Sequence, residues 1–243
     1  MKITKCHVLI FVLLIVNTFL FANWKSDREN LDKVYKIDKF RVFYTLKGKN
    51  KLEDKTDTNK NNIPDIVENI GLQLDTANKL FSNVLGFKQP FFSQRYKKDV
   101  KYIDIHLLSL KYNGESGDGV IQYNYKIIKQ NTKTLSIAIS NTIKAKNLTP
   151  LHELFHTYQN GYSMFKNRWY TEGTARWSEF AFKKRTGKQH NLPSNEKQIE
   201  KLLNRTYDAK YFWNRLLFLC TTSDKGFKLP KNLKKRVVTN HPI

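Results

Sequence analysis

His152-Glu153-Leu154-Phe155-His156 is the stretch of this 243-residue chain that constrains its fold most strongly. Ahead of it, Thr149 can cap a helix and Pro150 suits the first helical position, while Gly161 suits the end of a helix. Residues four apart lie on the same face of a helix, so both histidines would point the same way. Two neutral imidazoles on one face can bind a zinc ion with the glutamate beside them. The stretch therefore predicts a metal-binding helix.

A third protein ligand is expected, because zinc in catalytic sites usually takes three and leaves one position for water. The best candidate is Glu172, which opens a second predicted helix. Gly173 and Ala175 are small enough to let that helix approach the first one closely. Glu179 lies two turns after Glu172 and is predicted to accept a hydrogen bond from a zinc-bound histidine. In the alternative interpretation, Glu172 only stabilises a helix N-terminus and Glu179 is an exposed helix residue.

The predicted ligand set of His152, His156 and Glu172 indicates hydrolysis, with peptide bonds as the default substrate. Zinc would lower the pKa of its bound water, and Glu153 would take the proton from that water and deliver it to the leaving amine. A separate donor should stabilise the oxyanion. The sequence leaves several candidates for that donor open: Tyr158, Tyr162, Tyr170, Tyr207, Tyr211 and His190.

A second metal signature lies upstream, in residues 57–68. Oxygen ligands at positions one, three, five, seven, nine and twelve are typical of an EF-hand calcium loop. They are Asp57, Asn59, Asn61, the carbonyl of Ile63, Asp65 and Glu68. Asn62 replaces the glycine of the sharp turn and is the next best residue at positive φ. A strand precedes the loop and a helix follows it, so a structural Ca²⁺ would join the two. A polar turn without metal is the alternative.

These motifs together resemble a family of secreted bacterial zinc metalloproteases with a gluzincin-type active site. The resemblance covers roughly residues 38 to 182 and includes the calcium loop, the H-E-x-F-H helix with Gln159, and the segment Trp169–Ala175. It implies that His152, His156 and Glu172 bind zinc and that Glu153 is catalytic, and it identifies no substrate. Arg176 departs from thermolysin-like gluzincins, which carry an acidic residue at that position, and Glu179 is the candidate replacement.

The order of predicted elements places the chain in the α+β class. Strands are predicted near residues 37–46, 100–110, 120–128 and 134–140, and helices near 64–85, around the two zinc motifs and near 195–220. Several strands thus precede the two motif helices. The resemblance implies a zincin-like fold with a mixed or antiparallel sheet, in which an edge strand flanks the cleft. Residues 135–140 are predicted to be that edge strand.

The N-terminus predicts export. Basic residues in Met1–Lys5 precede an apolar run from Val8 to Phe21 and then Ala22, as in a secretory signal peptide covering residues 1–22. An uncleaved membrane anchor is the rival interpretation. Residues 23–243 would then form a single metallopeptidase-like domain in the periplasm, in the cell envelope or outside the cell. Cys6 would leave with the signal, so Cys220 has no intramolecular partner and is predicted to be a buried core thiol.

The chain is strongly basic, with 43 Lys and Arg against 21 Asp and Glu and a formal net charge of +22. Such an excess attracts polyanions. Clusters at residues 97–98, 183–185 and 234–236 could meet an anionic envelope surface, whereas nucleic acid is not expected because no recognised nucleic-acid module accompanies the charge. The alternative is a dispersed lysine-rich surface without a designated partner.

Three functions remain distinct at this point. The favoured prediction is an exported zinc-dependent metallopeptidase that acts on a protein or peptide. The alternative is a non-catalytic envelope or adhesion protein in which zinc and calcium only stabilise the fold. A third is a basic polyanion-binding module, whose binding would survive chelation of the metal.

Overall fold

The structure is a computed structural model that describes residues 24–182 and 188–220. The predicted signal peptide and the basic clusters at 183–185 and 234–236 therefore lie outside the described residues. Within the described ranges, no helix is both long enough and apolar enough to cross a membrane.

In the described residues, one mixed sheet is built from six strands. They are β1 (Lys33–Ile37), β2 (Phe40–Tyr44), β3 (Tyr102–Leu108), β4 (Gly114–Ser116), β5 (Ile121–Gln122) and β6 (Lys133–Ser140). The order across the sheet is β1-β2-β3-β6-β4, and β5 also pairs with β6. The central strands β2, β3 and β6 are parallel, while β1, β4 and β5 run antiparallel to their neighbours.

The helices of the described residues pack on the sheet and against one another. They are α1 (residues 24–29), α2 (Asp65–Lys79, continued by a π-helical turn Leu80–Val84), α3 (Thr149–Tyr162), α4 (Arg168–Ser178), α5 (Glu196–Leu203) and α6 (Lys210–Cys220). The main core lies between α2, α3 and the sheet, with Leu74 and Leu154 packed in the same cluster as Ile105 and Ile137. The α+β class is thus confirmed.

The opposite face of the sheet holds a chain of buried polar side chains. Arg41 donates to both carboxylate oxygens of Asp104, at 2.7 and 2.8 Å. The Tyr125 hydroxyl lies 2.9 Å from Asp104 Oδ2 and 2.6 Å from His106 Nε2, and His106 Nδ1 lies 3.3 Å from Ser136 Oγ. Burial lowers the pKa of His106 well below its ordinary value, so the ring is neutral. These bonds join β2, β3 and β6 across the centre of the sheet.

The prediction that residues 135–140 form the edge strand is wrong. They belong to β6, which pairs with β3 on one side and with β4 and β5 on the other. Both faces of β6 are buried, as is typical of a strand in the interior of a parallel sheet. The predicted strand at 120–128 is also too long, since only Ile121–Gln122 pairs. The strand that ends the sheet beside α3 is the short β4.

Candidate metal centre and active site

Helices α3 and α4 bring the three predicted zinc ligands together. One ligand atom from each of His152, His156 and Glu172 lies within 4.8 Å of the others. His152 Nε2 is 3.3 Å from Glu172 Oε2, and His156 Nε2 is 3.7 Å from the same oxygen. The two imidazole rings are nearly perpendicular, at 86°. Both Nε2 atoms therefore converge on one carboxylate oxygen, which is the arrangement that a small cation would require.

The outer nitrogen of each histidine also has a partner. His152 Nδ1 lies 3.2 Å from Glu179 Oε1, and Arg176 forms an ion pair with the same oxygen at 2.9 Å. His156 Nδ1 lies 2.6 Å from Gln159 Oε1. Because both Nδ1 atoms face acceptors, each ring can carry its proton on Nδ1 and keep the Nε2 lone pair for a metal. The structure thus places Glu179 where the sequence predicts it, and the donor set fits a zinc ion.

Gln159 also joins the two motif helices. Its amide nitrogen donates to the Thr171 carbonyl at 2.9 Å and to Thr174 Oγ1 at 2.5 Å, both on α4. These bonds orient the amide so that its oxygen faces His156. The sequence places Gln159 on the histidine face of α3. The sequence does not predict that Gln159 faces His156 Nδ1 as an acceptor, because the groups that orient its amide belong to the next helix.

Gly173 serves a different contact from the predicted one. A Cβ atom at this position would lie 2.8 Å from the Ala209 Cβ and 3.0 Å from Trp213 Nε1. The missing side chain therefore lets the C-terminal helical region approach α4, rather than letting α4 approach the zinc helix. Ala175 is fully buried in the main core.

Hydrogen bonding within the cluster shifts the pKa values of its members in opposite directions. Burial would lower the pKa of His152, but its bonds with Glu172 and Glu179 outweigh that effect and raise the pKa to about 9. Burial opposes ionisation of Glu172, yet its bonds with His152 and His156 hold its pKa well below the ordinary value. Burial raises the pKa of Glu153.

The edge strand β4 lies directly against the helix that carries Glu153. A Cβ atom on Gly114 would be 2.6 Å from Thr149 Cγ2 and 3.2 Å from Glu153 Cγ. The antiparallel register bonds alternate residues of this segment to β6, so the N–H and C=O groups of Gly114 and Ser116 point away from β6. Among the described residues, no further backbone hydrogen bond reaches these groups, so an open backbone edge lies next to Glu153. The sequence contains no signal that singles out Gly114.

Among the oxyanion candidates, the structure brings Tyr207 to the cluster. Its ring centroid lies 5.9 Å from that of His152, and the Arg176 guanidinium lies 5.0 Å from the ring centroid. Burial and the neighbouring Glu172, which shares a hydrogen bond with the hydroxyl, raise the pKa of Tyr207. The other candidates contact other groups: Tyr158, Tyr162, Tyr170, Tyr211 and His190.

The predicted calcium loop adopts a closed, hydrogen-bonded turn. Asn62 has φ of +67°, as its position in place of a glycine predicts. Asp57 accepts from the backbone N–H groups of Asn61 and Asn62, at 3.1 and 2.8 Å. The amides of Asn59 and Asn61 reach the two oxygens of Glu68, at 3.1 and 2.7 Å. Side chains from both ends of the loop therefore meet on one side of it.

The remaining loop positions complete the turn. Asp65 accepts from the backbone N–H and the hydroxyl of Thr58, at 2.9 and 2.6 Å. The Ile63 N–H donates to Asn61 Oδ1 at 2.8 Å. The Asp65 N–H donates back to the Thr56 carbonyl at 2.7 Å, so the loop closes where α2 begins. Within the described residues, the loop carboxylates do not gather into a cluster of three ligand atoms as the zinc motif does, so calcium binding here stays a prediction.

The prediction that Cys220 is a buried core thiol is wrong, because the residue is exposed. It is the last residue of α6 and lies at the rim of an apolar groove. The apolar side chains around Cys220 form one wall of that groove and do not belong to the main core.

The chain was compared with known protein families, with curated proteins and with solved structures. No family, no curated protein and no solved structure matches it.

Proposed function

We propose that the protein is an exported zinc-dependent metallopeptidase. The observation that carries the proposal is the convergence of His152, His156 and Glu172 within 4.8 Å, with Glu153 buried beside them. A zincin-like arrangement of the fold is part of the same proposal, since β4 offers an open edge along the cleft. An extended peptide could add to that edge by backbone hydrogen bonds, which would bring its carbonyl over the cluster.

Each residue has a defined task in this proposal. His152, His156 and Glu172 would hold the ion, and Glu179 and Gln159 orient the two rings. Zinc bound there would supply a Lewis acid that polarises the carbonyl of the substrate and makes water more acidic. Glu153 takes a proton from the attacking water and passes it to the leaving nitrogen, and its raised pKa suits both steps. The Tyr207 hydroxyl is the candidate donor to the oxyanion, because its ring lies beside His152.

The decisive experiment replaces Glu153 with glutamine in the purified protein. Zinc content should stay near one ion per chain, while hydrolysis of a mixed peptide pool should fall by about 100-fold or more. Glu196→Gln, on the surface of α5, is the matched control and should leave both quantities unchanged. Full activity in Glu153→Gln would remove the proposed base. Stoichiometric zinc without turnover of any peptide in the wild type would favour the metal-stabilised binding protein instead.

We further propose that residues 57–68 bind a structural Ca²⁺. The effects of the two metals can then be distinguished by experiment. Calcium should raise the melting temperature of the protein, and the zinc content should not depend on calcium. Asp57→Asn should abolish the calcium-dependent rise and leave the zinc stoichiometry intact. A calcium effect that persists in that variant would place the ion elsewhere.

A further inference from the structure

An apolar groove opens beside the metal helix, on the side away from Glu153 and β4. It encloses about 490 Å³, and its walls come from α3, α4, α6 and the segment after α2. Aromatic and aliphatic side chains dominate the lining, including Phe87, Tyr162, Trp177, Trp213 and Leu217. The Lys88 N–H donates to the Tyr162 hydroxyl at 2.6 Å, which closes one end of the groove.

Large apolar side chains project into solvent around the same groove. Phe165 is 50% exposed and its ring lies 5.6 Å from that of Tyr170, which lines the groove. Met164 is 62% exposed in the same loop, and Phe218 is 61% exposed between two lining residues of α6. Phe92 is 60% exposed, and its segment packs against the end of α3 through Ser93 and Gly161. We call these four residues the aromatic rim: Phe92, Met164, Phe165 and Phe218.

Positive charges predominate around this rim. The groove and the rim are built from residues 76–98, 154–178 and 209–220, and the acidic residue in these segments is Glu172, which belongs to the metal cluster. They contain ten Lys and Arg: Lys79, Lys88, Arg95, Lys97, Lys98, Lys166, Arg168, Arg176, Lys210 and Arg215. Some of this charge is paired, since Lys166 and Arg95 contact Asp118 at 3.0 and 3.5 Å and Lys79 contacts Asp75 at 2.7 Å. The face as a whole is cationic and apolar.

We propose that the aromatic rim and its surrounding cations form a docking surface for an anionic lipid bilayer. Aromatic rings and a methionine can enter the headgroup boundary while lysine and arginine remain at the level of the anionic headgroups. The +22 charge of the whole chain adds long-range attraction to the same surface. Docking does not depend on the zinc chemistry, because none of the four rim residues belongs to the metal cluster.

The orientation that follows has a functional consequence. Glu153 and the open edge of β4 lie on the other side of α3 from the groove, so docking would leave the cleft accessible. In a membrane-bound form, the cleft would therefore be open to proteins or peptides near the bilayer and would not face the lipid.

Sedimentation of the purified protein with vesicles tests the proposal. Binding should be strong to vesicles of phosphatidylcholine mixed with phosphatidylglycerol, weak to phosphatidylcholine alone, and reduced by high salt. Phe92→Ser combined with Phe165→Ser should lower partition to the anionic vesicles by about tenfold or more. Lys88→Gln combined with Lys97→Gln should lower it by roughly tenfold as well.

A matched control removes two exposed apolar side chains elsewhere. Ile199→Ser combined with Leu203→Ser, at positions 47% and 42% exposed on α5, should leave vesicle binding unchanged. Circular dichroism and zinc content should be the same in all variants, which separates lost binding from lost folding. Absence of vesicle binding in the wild type, or equal loss in the α5 variant, would overturn the proposal. So would self-association that depends on Phe92 and Phe165 without any binding to lipid.

Discussion

Replacing Gly114 with alanine should destabilise the protein through one defined contact. The new Cβ would lie 2.6 Å from Thr149 Cγ2, 3.1 Å from the Ala138 carbonyl oxygen and 3.2 Å from Glu153 Cγ. Thr149 is held at the start of α3 and Ala138 in the middle of the sheet, so neither can yield freely. Overpacking of this kind costs about 1–3 kcal/mol. Displacement of β4 should also lower peptidase activity, because Glu153 is one of the groups in contact.

A second substitution isolates the clash. Thr149→Ser removes the methyl group nearest to the new Cβ, so in the Gly114→Ala background it should recover about 1 kcal/mol of the lost stability. Gly119→Ala is the matched control, because a Cβ there meets nothing within 4 Å. That control should change stability by less than about 1 kcal/mol, in the stabilising direction if at all.

Urea denaturation of the four variants and the wild type measures these quantities. The expected clash is contradicted if Gly114→Ala is as stable as Gly119→Ala. It is also contradicted if the changes in unfolding free energy caused by Gly114→Ala and Thr149→Ser are additive. Either result would mean that β4 does not press on α3 as the structure shows.

Gln159→Leu should weaken zinc binding by about 10- to 100-fold, because His156 loses the acceptor at its Nδ1. Competition with a chromogenic chelator measures the dissociation constant of zinc. An unchanged dissociation constant would show that Gln159 does not support the metal site. The free energy of unfolding should fall below pH 6.5 by up to about 1.4 kcal/mol per pH unit, because the unfolded chain binds a proton at His106 that the folded protein excludes. Denaturation at several pH values should show a shallower slope in His106→Gln, and an identical slope would contradict the assignment. Asn62→Ala should lower stability by about 1–2 kcal/mol, because φ is +67°, whereas Asn62→Gly should not; equal melting temperatures would refute this reading of the loop.

Local features of the site could be predicted from the sequence because they depend on neighbours along the chain. The spacing of His152 and His156 places them on one face of a helix wherever that helix lies in the fold. The predicted cap is off by one residue, since the helix begins at Thr149 itself. In the calcium loop, the positive φ of Asn62 follows from its place at the sixth loop position, where an EF-hand loop carries the glycine of the sharp turn. The spacing of Glu179 from Glu172 predicts that both lie on one helix face, but the contact of Glu179 with His152 also depends on how the two helices pack.

The tertiary structure alone decided which strand borders the cleft. The alternation in residues 135–140 shows a strand, but both of its faces are buried by parts of the chain that are distant in sequence. Strand pairing is non-local, so a strand of three residues at Gly114–Ser116 could take the edge without any local signature. The roles of Gln159, Tyr207 and Gly114 are of the same kind. Each depends on a partner from another element, and only packing brings those partners within contact distance.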